Sequence, residues 1–227
     1  MAKILLWDIE STGLKGDFAT ILCIGWKWYG EGKVNVISIT DYPEKFQADP
    51  TNDGPLIKDF MKVYAEADMT ITYFGVGFDR KMFYTKLLEH KLPLPANIPM
   101  VDLFFTVKSN TALSRKSLDN VANFLGTSTQ KTRVDGKIWK RAMAGHKPSI
   151  RYIIDHCEKD VIVLEEVYER LRPLVRTHPR VAELAACRYC GSNRLVRRGF
   201  VLTVLRGRYQ RIVCRDCGGW DQVRVKG

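Results

Sequence analysis

Three short apolar runs open the chain: KILLWD, ATILCIGWKWYG and GKVNVISIT. Each has the length and the apolar content of a strand, and the glycines of YGEGK suit a hairpin turn between the last two. The period then changes. In PLIKDFMKVYAEA the apolar residues Leu56, Ile57, Phe60, Val63 and Tyr64 recur at helical spacing. MTITYF predicts a short strand, GFDRKMFYTKLLEH a helix and MVDLFF another short strand. SRKSLDNVANFLG predicts a helix with Ser114 or Ser117 near its start and Gly126 at its end. The longest helical pattern is PSIRYIIDHCEKDVIVLEEVYERLRPLV, with Pro148 in its first turn and Pro173 near its end. Three successive strands followed by alternating helices and short strands predict an α/β fold, a mixed sheet covered by helices.

Around RTHPRVAEL the pattern is lost, and beyond it the residues alternate among turn glycines and paired cysteines. This divides the chain into a main domain over residues 1–176, a linker over 177–186 and a small β module over 187–227. A hairpin is expected in RLVRRGFVLTVLRGRYQRIV, turning at RGR.

The 227 residues are 45% hydrophobic and 27% charged, enough for one large domain or a medium one with a small companion. No apolar run reaches the ~18 residues of a membrane-spanning helix, so no membrane partner is expected. MAKILLWDIE meets acids too soon for a secretory signal, and an intracellular, cytoplasmic location is expected. The net charge of +11 is uneven: from Arg180 to Gly227 eleven basic residues face three acids. That imbalance points to a polyanionic partner, nucleic acid first among them.

The cysteines are uneven too. Cys23 and Cys157 stand alone in apolar surroundings and read as small core residues. Cys187 with Cys190, and Cys214 with Cys217, form two CxxC pairs separated by 23 residues. In a cytosolic protein such pairs read as one closed, structural Zn²⁺ site rather than disulfides.

The first strand carries two acids. Asp8 and Glu10 flank Ile9, so they share one face, about 7 Å apart, while Ile9 points the other way. Asp79, after a glycine-containing turn, and Asp160, within the longest helix, are further acids that taken singly fit helix-cap or surface roles.

Together these acids form an ordered set, DIESTGL, GVGFD and HCEKD, that resembles the three motifs of the DEDD superfamily of 3′–5′ exonucleases. That superfamily has the ribonuclease H-like fold and includes the proofreading domains of DNA polymerases, and the resemblance spans Lys3 to Leu174. It departs from the pattern twice. His156 stands where one subgroup has tyrosine, four residues before Asp160, and Phe74 stands where the second motif often has asparagine. The resemblance implies that Asp8, Glu10, Asp79 and Asp160 hold two Mg²⁺ or Mn²⁺ ions, with Asp8 bridging them. Four converging carboxylates cannot all stay ionised without such cations, which would clamp the scissile phosphate. It also implies that His156 orients or deprotonates the attacking water, that Thr12 contacts the terminal nucleotide and that Leu14 wedges against the last base. Asp102 is ranked as structural, and Lys131, Arg133 and Lys137 as candidate phosphate contacts or merely solvated residues.

The C-terminal module resembles a zinc ribbon, the metal supplying much of its folding energy. Its arginines, Arg197, Arg198 and Arg208 among them, lie near Phe200, Tyr209 and Trp220 in sequence, a composition suited to phosphates and stacked bases; a protein-docking ribbon is the alternative. The expected function is a metal-dependent 3′–5′ exonuclease acting on DNA or RNA ends, DNA favoured, beside a separately encoded polymerase or replication protein. A ribonuclease H-like structure-selective endonuclease and a non-catalytic nucleic-acid-binding adaptor stand as alternatives.

Overall fold

The computed structural model describes residues 2–129, 134–175, 178–179, 186–203 and 207–225. Lys131, Arg133 and Arg206, and most of the segment expected as a linker, lie outside them. Five strands, β1 (Ile4–Ser11), β2 (Ile21–Trp28), β3 (Asn35–Ser38), β4 (Met69–Thr72) and β5 (Met100–Asp102), form one mixed sheet in the order β3-β2-β1-β4-β5. The β1–β2 and β2–β3 pairs are antiparallel; β1–β4 and β4–β5 are parallel. The expected α/β, ribonuclease H-like mixed sheet flanked by helices is the observed architecture, and a second, small sheet follows it.

Alternation along β1 separates the two cores. Leu5, Trp7 and Ile9 enter an aromatic cluster with Phe60, Tyr64 and Phe83, contributed by helices α2 (Gly54–Ala65) and α3 (Asp79–Glu89). Ile4 and Leu6 enter the other cluster, with Val163, Leu164, Val167 and Tyr168 from the long C-terminal helix over Lys147–Leu171. Asp8 and Glu10 continue the Ile4–Leu6 side by period two. The face that is apolar at the start of β1 therefore turns acidic further along it. The remaining helices are α1 (Pro43–Ala48), α4 (Leu103–Asn110), α5 (Leu118–Leu125) and α6 (Gly136–Met143), which makes the Lys147–Leu171 helix α7.

Local chemistry explains where elements stop. Ser117, not Ser114, caps α5 by accepting the N–H of Asn120, and Gly126 ends it in the left-handed conformation, φ 65°. MVDLFF is strand only as far as Asp102. Its carboxylate accepts the Phe104 N–H at 3.0 Å, and that cap starts α4 where a strand was expected to continue. Helix α6, for which the sequence reading named no element, begins at the Asp135 cap, which accepts from Lys137 and Ile138.

The second sheet comprises β6 (Leu195–Thr203), β7 (Gly207–Cys214) and β8 (Trp220–Arg224), antiparallel in that order. The β6–β7 hairpin matches expectation, but Gly207 and Arg208, expected in its turn, already lie in β7 opposite Thr203 and Leu202; β8 does not follow from the sequence reading. Between the sheets, Arg172 lies over the rings of Tyr29 and Tyr168, 4.9 Å from each centroid. His178, inside the segment expected as linker, is 0% exposed. Its Nδ1 meets the Pro179 carbonyl at 2.7 Å, which puts the proton there and leaves Nε2 to accept the Tyr168 hydroxyl at 2.7 Å. Its ring stands edge-on to Tyr189 of the C-terminal module, centroids 5.2 Å apart.

Candidate active site

Asp8 and Glu10 end the acidic face of β1, opposite Gly25 and Cys23 of β2. The glycine matters because α7 crosses there. A Cβ on Gly25 would lie 2.9 Å from the Cys157 Sγ and 3.0 Å from a methyl of Val161, so only glycine lets the helix come this close to the sheet. A Lys27–Glu165 ion pair, both side chains largely buried, holds α7 against β2, and Glu165 also accepts the Gly30 N–H at 2.9 Å. The approach brings Asp160, 3% exposed, and His156, one turn before it, up to the end of β1. His156 Nε2 is 3.5 Å from Glu10 Oε1 and 3.7 Å from Asp160 Oδ2.

Asp79 arrives from the other side. It is the first residue of α3, where the helix dipole favours an anion, and its Oδ1 accepts the backbone N–H of Ile9 at 3.0 Å. The four carboxylates of Asp8, Glu10, Asp79 and Asp160 line one open cleft of about 440 Å³, with Leu14 and Phe74 also on its wall. Ligand atoms of Glu10, His156 and Asp160 all lie within 4.8 Å of one another. The carboxylate oxygens of this cleft fit magnesium or manganese by donor chemistry, and the imidazole beside them is a softer donor. Beneath these groups, the Cys157 thiol is pushed up by its contact with the Cys23 thiol, by burial and by the nearby Asp8 and Glu10. It packs as a neutral thiol, in keeping with the core role read for both lone cysteines.

Thr12 and Leu14 differ. Thr12 closes the turn after β1: its hydroxyl accepts the Thr20 N–H and its own N–H reaches the Thr20 carbonyl, both at 2.9 Å. Leu14 is 81% exposed at the rim. Of the two only Leu14 lines the carboxylate cleft; both line a neighbouring cleft of about 260 Å³, whose far wall is Trp139 and Met143 of α6. Those two residues escaped the sequence reading, although Asp135 as a cap and Ile138, Trp139, Ala142 and Met143 at helical spacing carry the signal. Lys137 is exposed on the same helix. Asp102 is structural as ranked, accepting the N–H groups of Phe74, Val76 and Phe104. Burial raises its pKa even so.

In the C-terminal module, ligand atoms of Cys187, Cys190, Cys214 and Cys217 lie within 4.8 Å of one another, with no disulfide among them. The Cys187–Cys217 and Cys190–Cys214 sulfurs are 3.6 and 3.7 Å apart. Tetrahedral Zn–S bonds of about 2.3 Å require sulfurs about 3.8 Å apart, so the cluster fits zinc. Burial opposes ionisation of Cys214, but the N–H groups of Cys217 and Asp216 together with the Cys190 and Cys187 thiols outweigh it and bring the thiol to about 7. Arg197 and Arg198 are exposed on β6 beside a bulge, and the Arg208 guanidinium lies 3.9 Å from the Phe200 ring centroid. These arginines belong to the second sheet, not to the wall of the carboxylate cleft.

A family model described as RNase_H superfamily matches residues 5–172, and the chain belongs to that superfamily. Its fold is similar to part of the family B DNA polymerase from the hyperthermophilic archaeon Pyrobaculum calidifontis, with a TM-score of 0.59 and 15% identity. The likeness covers 77% of this chain but only 26% of the polymerase chain. No curated protein matches the chain. Membership of the superfamily supports a nuclease acting on nucleic acid. Among the described residues no helix is long and apolar enough to cross a membrane.

Proposed function

We propose that this protein is a metal-dependent 3′–5′ exonuclease that hydrolyses phosphodiester bonds at nucleic-acid ends, DNA by preference. What carries the reading is the single cleft shared by Asp8, Glu10, Asp79 and Asp160. Two magnesium or manganese ions held by these carboxylates would neutralise the phosphate and make a water acidic enough to act as nucleophile at neutral pH. The protein's own part is proton handling and positioning. His156 takes the proton of the attacking water at Nε2, and the flanking Glu10 and Asp160 carboxylates stabilise the imidazolium that results. The terminal nucleotide lies against Thr12 and Leu14. The C-terminal module, as a zinc ribbon, binds the strand through Arg197, Arg198 and Arg208. The fold's likeness to part of a DNA polymerase is compatible with work alongside a separate polymerase or replication protein.

The test uses DNA and RNA labelled at the 5′ or the 3′ end, with Mg²⁺, Mn²⁺ or EDTA. Ladders that shorten one nucleotide at a time from the 3′ end, only with metal, are the expected result. Internal cuts in branched substrates would replace this reading with an endonuclease. No cleavage under any of these conditions would replace it with a binding adaptor.

A further inference from the structure

Phe74 follows β4 by two residues and has φ 69°, a backbone conformation that bulky L-residues avoid. The surroundings enforce it. The buried Asp102 carboxylate accepts the Phe74 N–H at 2.8 Å and the Val76 N–H at 3.0 Å while also capping α4. A Cβ on Gly77 would lie 2.4 Å from the tip of the Phe74 ring, so the ring rests directly on the glycine backbone. Phe104 meets that ring edge-on with centroids 4.9 Å apart, and Phe105 lies more nearly parallel at 6.5 Å.

All this fixes an aromatic ring that is still 43% exposed, on the wall of the carboxylate cleft. Burial of apolar surface does not account for such an arrangement, because the surface stays wet and the backbone is strained. A rigid, half-exposed ring beside a site built for phosphate chemistry has one natural occupant: the flat face of a nucleobase.

We infer that Phe74 is a base-stacking residue, receiving an unpaired base of the strand whose phosphodiester enters the carboxylate cleft. The inference rests on the nuclease reading above and adds a determinant to it. Stacking is available to every base, so a ring at this place holds unpaired ends without reading their sequence. A base locked in a duplex does not offer its face, and paired ends must fray before they can occupy the site.

The test is a single-stranded oligonucleotide carrying 2-aminopurine near its 3′ end, mixed with the full chain in chelator-free buffer without added Mg²⁺ or Mn²⁺, so that nothing is cut and the cysteine cluster is not stripped. Stacking quenches 2-aminopurine. Wild type and Phe74→Tyr are expected to quench it, whereas Phe74→Leu, which keeps the apolar volume without a ring face, binds about tenfold more weakly and leaves it bright. With Mn²⁺ present, Phe74→Leu should raise KM about tenfold and change kcat less than twofold. Equal quenching and affinity for the Leu and Tyr variants would overturn the inference, as would an unquenched wild-type complex. Quenching without cleavage in any metal would instead remove the nuclease reading and leave Phe74 as a stacking residue.

Discussion

The carboxylate of Asp79 accepts the backbone N–H of Ile9, the residue between Asp8 and Glu10. This one bond spans 70 residues and ties the start of α3 to the end of β1, so acids distant in sequence are gathered by the fold itself. Like charges so gathered repel, and that repulsion is a cost of folding that a cation relieves. Asp8→Asn and Asp160→Asn are therefore expected to lower metal-supported cleavage by about a hundred- to a thousandfold, with the melting temperature unchanged or higher. Labelled-strand kinetics and thermal melts check both halves. Wild-type cleavage by either variant would refute the assignment.

His156 faces both Glu10 and Asp160 through Nε2. As a proton acceptor its loss should slow turnover by about a hundredfold and leave strand affinity alone. Calorimetric titration of His156→Ala with Mn²⁺ separates that role from metal ligation. An affinity within twofold of wild type is expected, and a large loss would make the imidazole a ligand instead.

Gly25 leaves no room for a side chain against Cys157 and Val161. Gly25→Val is expected to destabilise the protein by about 1–3 kcal/mol through overpacking. Because α7 carries Asp160, cleavage should fall beyond what the unfolded fraction explains. Urea denaturation beside activity at full folding tests it. Undiminished activity in the folded variant would mean that the close approach of α7 is not needed for catalysis.

Metal analysis is expected to find one zinc per chain, lost in Cys214→Ser or on strong chelation. Proteolytic resistance of the β6–β7–β8 sheet should go with it, while in Cys214→Ser manganese binding at the carboxylate cleft persists. In the intact protein, replacing Arg197, Arg198 and Arg208 with alanine should flatten the salt dependence of strand binding, by about 0.7 in slope for each phosphate no longer neutralised. An unchanged slope would assign the module to protein docking.

Burial, together with repulsion from Arg172 and Arg188, holds the His178 pKa down at about 4 despite the Pro179 carbonyl. The unfolded chain protonates near 6.5, so the stability linked to His178 is fully present above that pH. It is lost as pH falls from 6.5 towards 4, by about 3 kcal/mol in all. His178→Phe should lack this loss and gain on wild type steadily through that window. Parallel pH–stability curves for the two proteins would show that His178 is not held neutral.

Much of the architecture was legible because it rests on period and on local caps. The short apolar run of KILLWD gave β1, and helical spacing gave α2 and α7. What escaped depended on partners distant in sequence or on short signals. The strand read in MVDLFF ended early because the Asp102 carboxylate turned back onto Phe104. Helix α6 hid in a basic stretch whose apolar stripe spans barely two turns. The candidate site residues could be named because their motifs run in order along the chain. Sequence could not show that the Thr12 hydroxyl accepts the Thr20 N–H, or that Phe74 is a fixed ring rather than merely a missing asparagine.

The seat of His178 between Tyr168 and Tyr189 also bears on how the molecule can be dissected. A fragment ending at Val175 would strip the imidazole from the Tyr168 hydroxyl and uncover an aromatic scar at the end of α7. Poor solubility of such a fragment would then report a cut through an interface, not an unstable nuclease fold. Excision should begin after Pro179, where the histidine stays with the helix that shelters it.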